Sequence, residues 1–224
     1  MSNKGPAITG IAGALVLAGY LAAQPQNGEP PEPPELGFFI TSVGIGDGGN
    51  LGGLEGADAH CQSLARAAGA GDRTWRAYLS TQGSNAVNAR DRIGAGPWAN
   101  AKSIVIATNL DNLHYDNSNI NLEHALDENG NPIASRIDGS PDTTQHDILT
   151  GSRLDGTAFP PGEDRTCRNW TSNNEGSAMV GHHDRYSFMI PGAPWNSSHA
   201  TPGCNPEALI SVGGAGLLYC FAAD

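Results

Sequence analysis

Histidine and aspartate side chains able to do chemistry are densest in Gly181-His-His-Asp-Arg185, and His199 follows in the same part of the chain. His182, His183 and Asp184 could bind a transition metal ion, and His182 with Asp184 could transfer protons. Neighbouring residues of a strand point to opposite faces, so two adjacent histidines rarely bind the same ion. Metal binding and proton transfer remain open, but we expect these side chains to form hydrogen bonds within a packed loop.

Two other segments match ligand-binding patterns only in part. Asp127-Glu-Asn-Gly-Asn131 places oxygen atoms at alternate residues, but Pro132 stands where a calcium loop needs glycine. Gly44-Ile-Gly46-Asp-Gly48-Gly49 has the spacing of a dinucleotide motif, but Asn50–Gly53 separate it from the helix whose amides would meet the phosphates. We therefore expect no cofactor, with calcium or a transition metal as the alternative.

The charge of the chain limits its partners. Its 224 residues include 12 Lys and Arg against 23 Asp and Glu, a formal net charge of −11. Such a chain cannot present the basic surface that nucleic-acid phosphates require, so we expect no nucleic-acid partner. The 30 glycines and 15 prolines predict long loops between short elements and exclude a helical bundle.

The four cysteines, Cys61, Cys167, Cys204 and Cys220, lie far apart and form no Cys-x-x-Cys pair. Structural zinc sites usually use closely spaced pairs, because one short turn then delivers two thiolates. The spacing therefore predicts two disulfides and a location outside the cytoplasm. Spacing alone leaves three pairings open.

Residues 1–23 are predicted to direct the chain to a membrane, because one lysine precedes an uncharged apolar stretch. A signal sequence cleaved after Ala23 and a retained transmembrane helix both fit this length. Gly10, Ala14 and Ala18 recur at every fourth residue and form a small-residue stripe that would let another transmembrane helix approach closely. We therefore expect a retained helix, with signal cleavage as the alternative.

Residues 24–36 are rich in proline and favour an extended polyproline II spacer. Lys4 precedes the apolar segment and acidic residues follow it, which predicts that the amino end lies in the cytoplasm. We expect the globular part, residues 37–224, on the periplasmic or extracellular side of the cytoplasmic membrane. If the amino-terminal segment is removed, this part is secreted.

The globular part is predicted to combine short strands with one clear helix. Apolar or small residues recur at helical spacing from Leu54 to Ala68, and the core face of this helix includes Cys61. The β-branched and aromatic run Phe38–Val43 predicts a strand. Residues 109–162 are polar with little periodicity and predict a loop insertion. The other predicted elements are strands at Thr74–Ser80, Ser103–Ala107 and Gly216–Ala222 and a short helix at Asn88–Ile93.

Several short motifs, taken in their order, resemble a known family. They are Gly53-Leu-Glu-Gly-Ala-Asp-Ala-His-Cys-Gln62, Ala65-Arg-Ala67, Thr74-Trp-Arg-Ala-Tyr-Leu-Ser80, Cys167-Arg-Asn-Trp170, Gly176-Ser-Ala178 and Leu217-Leu-Tyr-Cys-Phe221. Together they resemble the endostatin domain of collagen, a member of the C-type lectin-like fold, and its bacterial lectin-like relatives. The resemblance brackets Phe38–Ala222 without the insertion at 109–162. It implies an α+β, C-type lectin-like domain over residues 37–224.

The resemblance also implies a disulfide pairing, Cys61 with Cys220 and Cys167 with Cys204. Sugar-binding C-type lectins hold calcium through Glu-Pro-Asn or Gln-Pro-Asp together with Trp-Asn-Asp. This chain has Trp195-Asn-Ser197 and lacks the first motif, so we do not expect calcium-dependent sugar binding. The zinc-binding histidines of endostatin lie at its amino terminus and have no match here.

Two tryptophans and two arginines flank the proposed Cys167–Cys204 loop: Arg168, Trp170, Arg185 and Trp195. Aromatic residues with arginine are typical anchors of protein interfaces, although Trp170 could equally be the core of the loop.

We expect a non-catalytic binding module, not an enzyme: a membrane-anchored accessory or stabilising subunit of a larger complex, with integral membrane proteins as partners. The alternative is a secreted lectin-like binder of glycans or matrix. A metal-dependent hydrolase that uses the cluster His182–Asp184 is the third hypothesis.

Overall fold

The computed structural model describes residues 1–2, 5, 32–115, 117–136, 144–185 and 194–224. Residues from Pro33 to Asp224 form one compact unit. The predicted membrane stripe of Gly10, Ala14 and Ala18 lies outside the described residues, as does most of the spacer. Within the described ranges, no helix is both long and apolar enough to span a membrane.

The described elements are short strands with one long helix, α1, which makes the protein a mixed α+β chain, the class that the sequence predicts. In chain order they are β1 (Phe38–Ile40), α1 (Gly53–Ala67), β2 (Trp75–Ala77), β3 (Trp98–Ala99), β4 (Val105–Ala107), β5 (Asp147–Leu149), β6 (Met179–His182), β7 (His199–Ala200) and β8 (Gly214–Ala222), with short helical turns at Ala89–Asp91, Leu110–Leu113 and Pro206–Ile210.

The main sheet has the strand order β1-β8-β5-β6-β7, and β2 also pairs with β8. β1 and β2 are antiparallel to β8, whereas β5 is parallel to it. Alternate side chains of β8 enter two different core clusters. One cluster receives Leu218, Cys220 and Ala222, and the other receives Leu217, Tyr219 and Phe221. Because successive strand residues face opposite sides, β8 is covered on both faces, which explains its continuous apolar sequence.

Helix α1 packs on one face of this sheet through residues spaced by about one turn. Ala57, Cys61 and Ala65 are each 0% exposed, as expected for the buried stripe of an amphipathic helix. Asp58 on the same helix accepts a hydrogen bond from the backbone amide of Ala77 at 3.0 Å. The guanidinium of Arg92 pairs with the same carboxylate at 2.7 Å. The predicted helix and its direction of burial are confirmed.

Two disulfides cross-link the domain and confirm the prediction that the cysteines are oxidised. Cys61 pairs with Cys220, which ties α1 to β8. Cys167 pairs with Cys204, which closes a loop with a sequence separation of 37. This is the pairing that the resemblance implies.

The polar stretch 109–162 is not only a loop insertion, and the expectation is corrected here. It contains a helical turn at Leu110–Leu113 and strand β5, which lies between β8 and β6 in the main sheet. Ile148 and Leu149 of β5 are 0% and 1% exposed, and each belongs to a different core cluster. The stretch therefore supplies a central strand of the fold.

Candidate functional site

Three adjacent strands bring histidine and aspartate side chains to one face of the main sheet. Asp147, the first residue of β5, lies directly opposite His182, the last residue of β6. His199 of β7 lies opposite Val180, two residues before His182. Side chains opposite each other in an antiparallel pair share a face, and so do residues two apart on one strand. Asp147, His182 and His199 therefore face the same side.

Three imidazole rings surround the carboxylate of Asp147. Nε2 of His182 lies 3.0 Å from Oδ1 of Asp147, and Nε2 of His146 lies 3.4 Å from the same oxygen. Nε2 of His199 lies 3.4 Å from Oδ2. We call His146, Asp147, His182 and His199 the His/Asp cluster. Each ring thus points the same nitrogen at one carboxylate.

The cluster is sealed from solvent except at one corner. His146, Asp147 and His182 are 4%, 1% and 6% exposed. The side chain of His199, on the edge strand β7, is 38% exposed. A ligand of the cluster would therefore be held in the interior, with His199 nearest to solvent.

The central atoms of the cluster are close to one another without forming hydrogen bonds. Both carboxylate oxygens of Asp147 and Nε2 of His182 are buried and have no partner in hydrogen-bonding geometry among the described residues. Burying a carboxylate without compensation is costly, so such groups are normally paired or bound to metal ions. The position of these buried polar atoms, close together but without hydrogen bonds to one another, therefore needs a physical explanation.

Neighbouring histidine rings keep the carboxylate of Asp147 ionised despite its burial. Burial alone would raise the pKa of Asp147, but the adjacent rings of His182 and His199 and the charge of His146 hold it below its usual value. In return, the carboxylate of Asp147 raises the pKa of His199, against the opposite effect of its partial burial. The cluster thus presents a negative centre to nitrogen atoms.

A second layer of groups contacts the far nitrogen, Nδ1, of each ring. Nδ1 of His146 lies 3.4 Å from Oδ1 of Asp184, and Nδ1 of His182 lies 3.3 Å from the hydroxyl of Ser198. Nδ1 of His199 lies 3.3 Å from the carbonyl oxygen of its neighbour Ala200. Each of these oxygens can accept a hydrogen bond from Nδ1, which would leave Nε2 with its lone pair.

Arg136 competes for the same nitrogens. Its Nη2 lies 3.2 Å from Nδ1 of His146 and 3.4 Å from Nδ1 of His182. A guanidinium only donates hydrogen bonds, so in this contact Nδ1 must accept and Nε2 must carry the proton. The rings therefore have two possible tautomers, one for each set of partners.

His182 and Asp184, considered together for proton transfer, have different partners in the structure. His182 contacts Asp147, and Asp184 contacts His146. Asp184 is 0% exposed; although burial alone would raise its pKa, the His146 ring and the backbone amide of Arg136 hold it well below its usual value. His183 lies just after β6, and its burial lowers its pKa to about 4. Of the two adjacent histidines, His182 is the one that contacts Asp147.

The side chains proposed as interface anchors lie mostly inside the protein. Trp170 and Trp195 are both 0% exposed and belong to the two core clusters. The guanidinium of Arg185 donates hydrogen bonds to carbonyl oxygens of the segment 115–120. Arg168 is exposed and pairs with Glu175. The two tryptophans are core residues, so they do not form an exposed aromatic surface.

The segment with calcium-like spacing forms a closed turn. Oδ1 of Asp127 accepts hydrogen bonds from the backbone amides of Asn129 and Asn131 at 2.8 and 2.7 Å. The oxygen of Asp127 that a calcium ion would use is thus occupied by hydrogen bonds within the turn.

His146 and Asp147 were not among the sequence-based candidates, because they stand far before His182 in the chain and meet it only through strand pairing. The sequence feature that could have identified them is a His-Asp pair directly before the apolar residues Ile148 and Leu149. No family model and no curated protein matches this chain.

Proposed function

We propose that the protein is a non-catalytic, extracytoplasmic binding module of the C-type lectin-like, endostatin-related kind. One observation carries the non-catalytic part of this proposal: the three side chains that the sequence offers for proton transfer are buried. His182, His183 and Asp184 are 6%, 1% and 0% exposed. A general acid or base must come within hydrogen-bonding reach of its substrate, which a sealed side chain does not.

The lectin-like part of the proposal is supported by three features. The first and last strands, β1 and β8, pair with each other. A disulfide links α1 to β8, and a second one closes the loop before Cys204. The resembling motifs stand in the same order as in the endostatin domain. Two disulfides also favour an oxidising compartment, which is the support for an extracytoplasmic location.

We further propose that residues 1–23 anchor the module in the cytoplasmic membrane, where it serves as an accessory or stabilising subunit of a complex of integral membrane proteins. The stripe of Gly10, Ala14 and Ala18 supports contact with another transmembrane helix. The alternative function is a secreted binder of glycans or matrix, which the lectin-like resemblance favours equally and which requires removal of the amino-terminal segment.

Intact-mass analysis of the protein, extracted in mild detergent from its native membranes, tests this proposal. We expect a mass that includes residues 1–23 and a fixed set of integral membrane proteins that co-elute. A triple variant with Gly10→Leu, Ala14→Leu and Ala18→Leu should lose these proteins, because bulky side chains block close helix approach. The matched control, Ala12→Leu, changes the other side of a helix and should retain them.

A mature chain that begins at Gln24 and elutes alone from the soluble exported fraction would contradict the anchored subunit. Retention of that chain on immobilised glycans or matrix would then support the alternative function.

A further inference from the structure

We propose that the His/Asp cluster binds a divalent transition metal ion of the zinc class, through Nε2 of His146 and His182 and the carboxylate of Asp147, with Nε2 of His199 as the fourth ligand. This inference goes beyond the binding function proposed above and does not depend on it, because it concerns the interior of the domain.

The spacing of the four atoms fits the size of such an ion. Zinc binds histidine nitrogen and carboxylate oxygen at about 2.0–2.1 Å, so two ligands of a tetrahedral site lie about 3.3 Å apart. The measured nitrogen-to-oxygen distances are 3.0 Å for His182, 3.4 Å for His146 and 3.4 Å for His199. Ligand atoms of His146, Asp147 and His182 all lie within 4.8 Å of one another. The ligand atoms of these three residues are therefore already gathered around one point, and Nε2 of His199 lies against the other carboxylate oxygen.

A metal ion would also account for the unpartnered atoms. Both oxygens of Asp147 and Nε2 of His182 are buried and have no hydrogen-bonding partner among the residues that the structure describes, although they lie next to each other. An ion between them would accept lone pairs from all of these atoms at once, which a proton shared by one pair does not do. Buried charges in proteins are characteristically compensated in this way, by pairing or by coordination.

The second layer orients the rings for coordination. A metal-bound histidine usually donates its other N–H to a carboxylate, a carbonyl or a similar acceptor, which fixes the tautomer. Asp184, Ser198 and the carbonyl of Ala200 stand at the three Nδ1 atoms. Hydrogen bonds to these acceptors would direct the lone pair of each Nε2 toward Asp147.

The donor types select the class of metal. Calcium and magnesium prefer six or more oxygen ligands, whereas imidazole nitrogen suits zinc, copper and nickel. His146, Asp147 and His182 supply three ligands and Nε2 of His199 lies beside the same carboxylate as the fourth, which gives the four-coordinate shell that is typical of structural zinc sites. A buried, closed site agrees with the exposed fractions of 1–6% for the three inner ligands.

Arg136 gives the proposal a second, opposite test. Its positive charge lies 3.2 Å from His146 and its hydrogen bond requires the tautomer that cannot coordinate through Nε2. Binding of a divalent ion must therefore displace this exposed side chain, and removing the guanidinium should favour the metal. Ligand variants and Arg136 variants thus change the affinity in opposite directions.

The test is a zinc titration of the full, disulfide-bonded chain after treatment with a chelator, with a chromophoric chelator as competitor. We expect one ion per chain. His182→Gln and His199→Gln should each weaken zinc binding by at least tenfold, and Arg136→Gln should strengthen it. The matched control, His114→Gln, replaces a histidine that is 1% exposed and lies outside the cluster, and should bind zinc as the unaltered chain does.

A cobalt titration of the same samples gives a readout of the ligand sphere. The intense visible absorption of four-coordinate cobalt should form in the unaltered chain and in His114→Gln. It should weaken or shift in His199→Gln, which replaces the partly exposed ligand on a two-residue edge strand and is the variant expected to fold without difficulty. Melting curves recorded without metal identify any variant that is unfolded.

The proposal is overturned if the unaltered chain binds no zinc, or if folded His182→Gln and His199→Gln bind it as tightly as the unaltered chain. Weaker zinc binding by Arg136→Gln would equally overturn the proposed arrangement. Loss of the co-eluting membrane proteins would leave this result unchanged, so the two proposals fail separately.

Discussion

Asp147 is a buried carboxylate with three imidazole rings beside it. An arginine or lysine in their place would supply a permanent or nearly permanent charge, and the carboxylate would form an ordinary buried ion pair. Imidazole can lose its proton and keep a lone pair, so the same nitrogen serves as a donor to the carboxylate or as a ligand of a metal ion. The chemistry of the cluster follows from this choice of side chain.

His114 provides a residue-scale prediction about acid stability. Its ring is 1% exposed, with Nε2 2.9 Å from the hydroxyl of Tyr78 and Nδ1 2.6 Å from the carbonyl of Leu110. Burial lowers the pKa of His114 below its usual value. Below about pH 6.5 the histidine is protonated in the unfolded chain but stays neutral in the folded chain. The free energy of unfolding therefore falls by up to about 1.4 kcal/mol per pH unit until the pH reaches the pKa of His114 in the folded chain.

Urea unfolding of the unaltered chain and of His114→Gln between pH 7 and pH 5 measures this effect. The variant should lose less stability on acidification, because the glutamine does not titrate. Tyr78→Phe is the control, since it removes the hydrogen bond but leaves the histidine, and should lower stability at both ends of the range with the slope kept. Equal slopes for the unaltered chain and His114→Gln would refute the prediction.

At the scale of elements, the left-handed turn at Cys167–Trp170 stands out. All four residues have positive φ, from 45° to 67°, although none is glycine. The left-handed conformation costs an ordinary residue about 1–2 kcal/mol. The turn is held by its ends, since Cys167 is disulfide-bonded and the indole of Trp170 donates a hydrogen bond to the carbonyl of Ser80. Tertiary contacts thus impose a backbone that the sequence of the turn disfavours.

The strain of this turn can be measured at Arg168, one of its exposed residues. Arg168 has φ of 55°, a value that glycine adopts without a steric penalty. We expect Arg168→Gly to raise the free energy of unfolding by about 0.5–1 kcal/mol relative to Arg168→Ala, because glycine's extra freedom in the unfolded chain offsets part of the relief. Both variants lose the exposed pair with Glu175, so chemical denaturation of the two isolates the backbone effect. A glycine variant no more stable than the alanine variant would show that the turn carries no strain.

The elements differ in how far the sequence predicts them. The period of apolar residues predicts both ends of α1 to within one residue. The apolar run Gly216–Ala222 predicts the long strand β8, whose side chains are buried or nearly so. Strand β5 cannot be predicted in this way, since only Ile148 and Leu149 are apolar and polar residues surround them. For the same reason the sequence indicates the His/Asp cluster only through His182 and the nearby His199, because His146 and Asp147 meet them across strands and not along the chain.

At the scale of the whole molecule, the two disulfides should stabilise the fold unequally. Their sequence separations are 159 for Cys61–Cys220 and 37 for Cys167–Cys204. In the chain-entropy model they contribute about 5 and about 4 kcal/mol, so the longer loop gives the larger effect by about 1.3 kcal/mol. All four cysteines are 0% exposed, which makes the two pairs comparable in burial.

Guanidinium unfolding of two double variants measures the difference. Cys61→Ala with Cys220→Ala should be less stable than Cys167→Ala with Cys204→Ala, and each should be less stable than the unaltered chain. The reverse order would mean that local packing around the second disulfide outweighs the entropy of the unfolded chain.

The position of β8 has a consequence for biosynthesis. This strand pairs with β1, β2 and β5 and carries one half of the Cys61–Cys220 disulfide, yet it comes after all of them in the chain. A growing polypeptide that has not reached Gly214 therefore lacks the strand with which β1, β2 and β5 pair, although β5, β6 and β7 also pair with one another. Strands β1 and β2 thus have no β8 to pair with, and the Cys61–Cys220 disulfide cannot form, until the last residues of the domain have been synthesised.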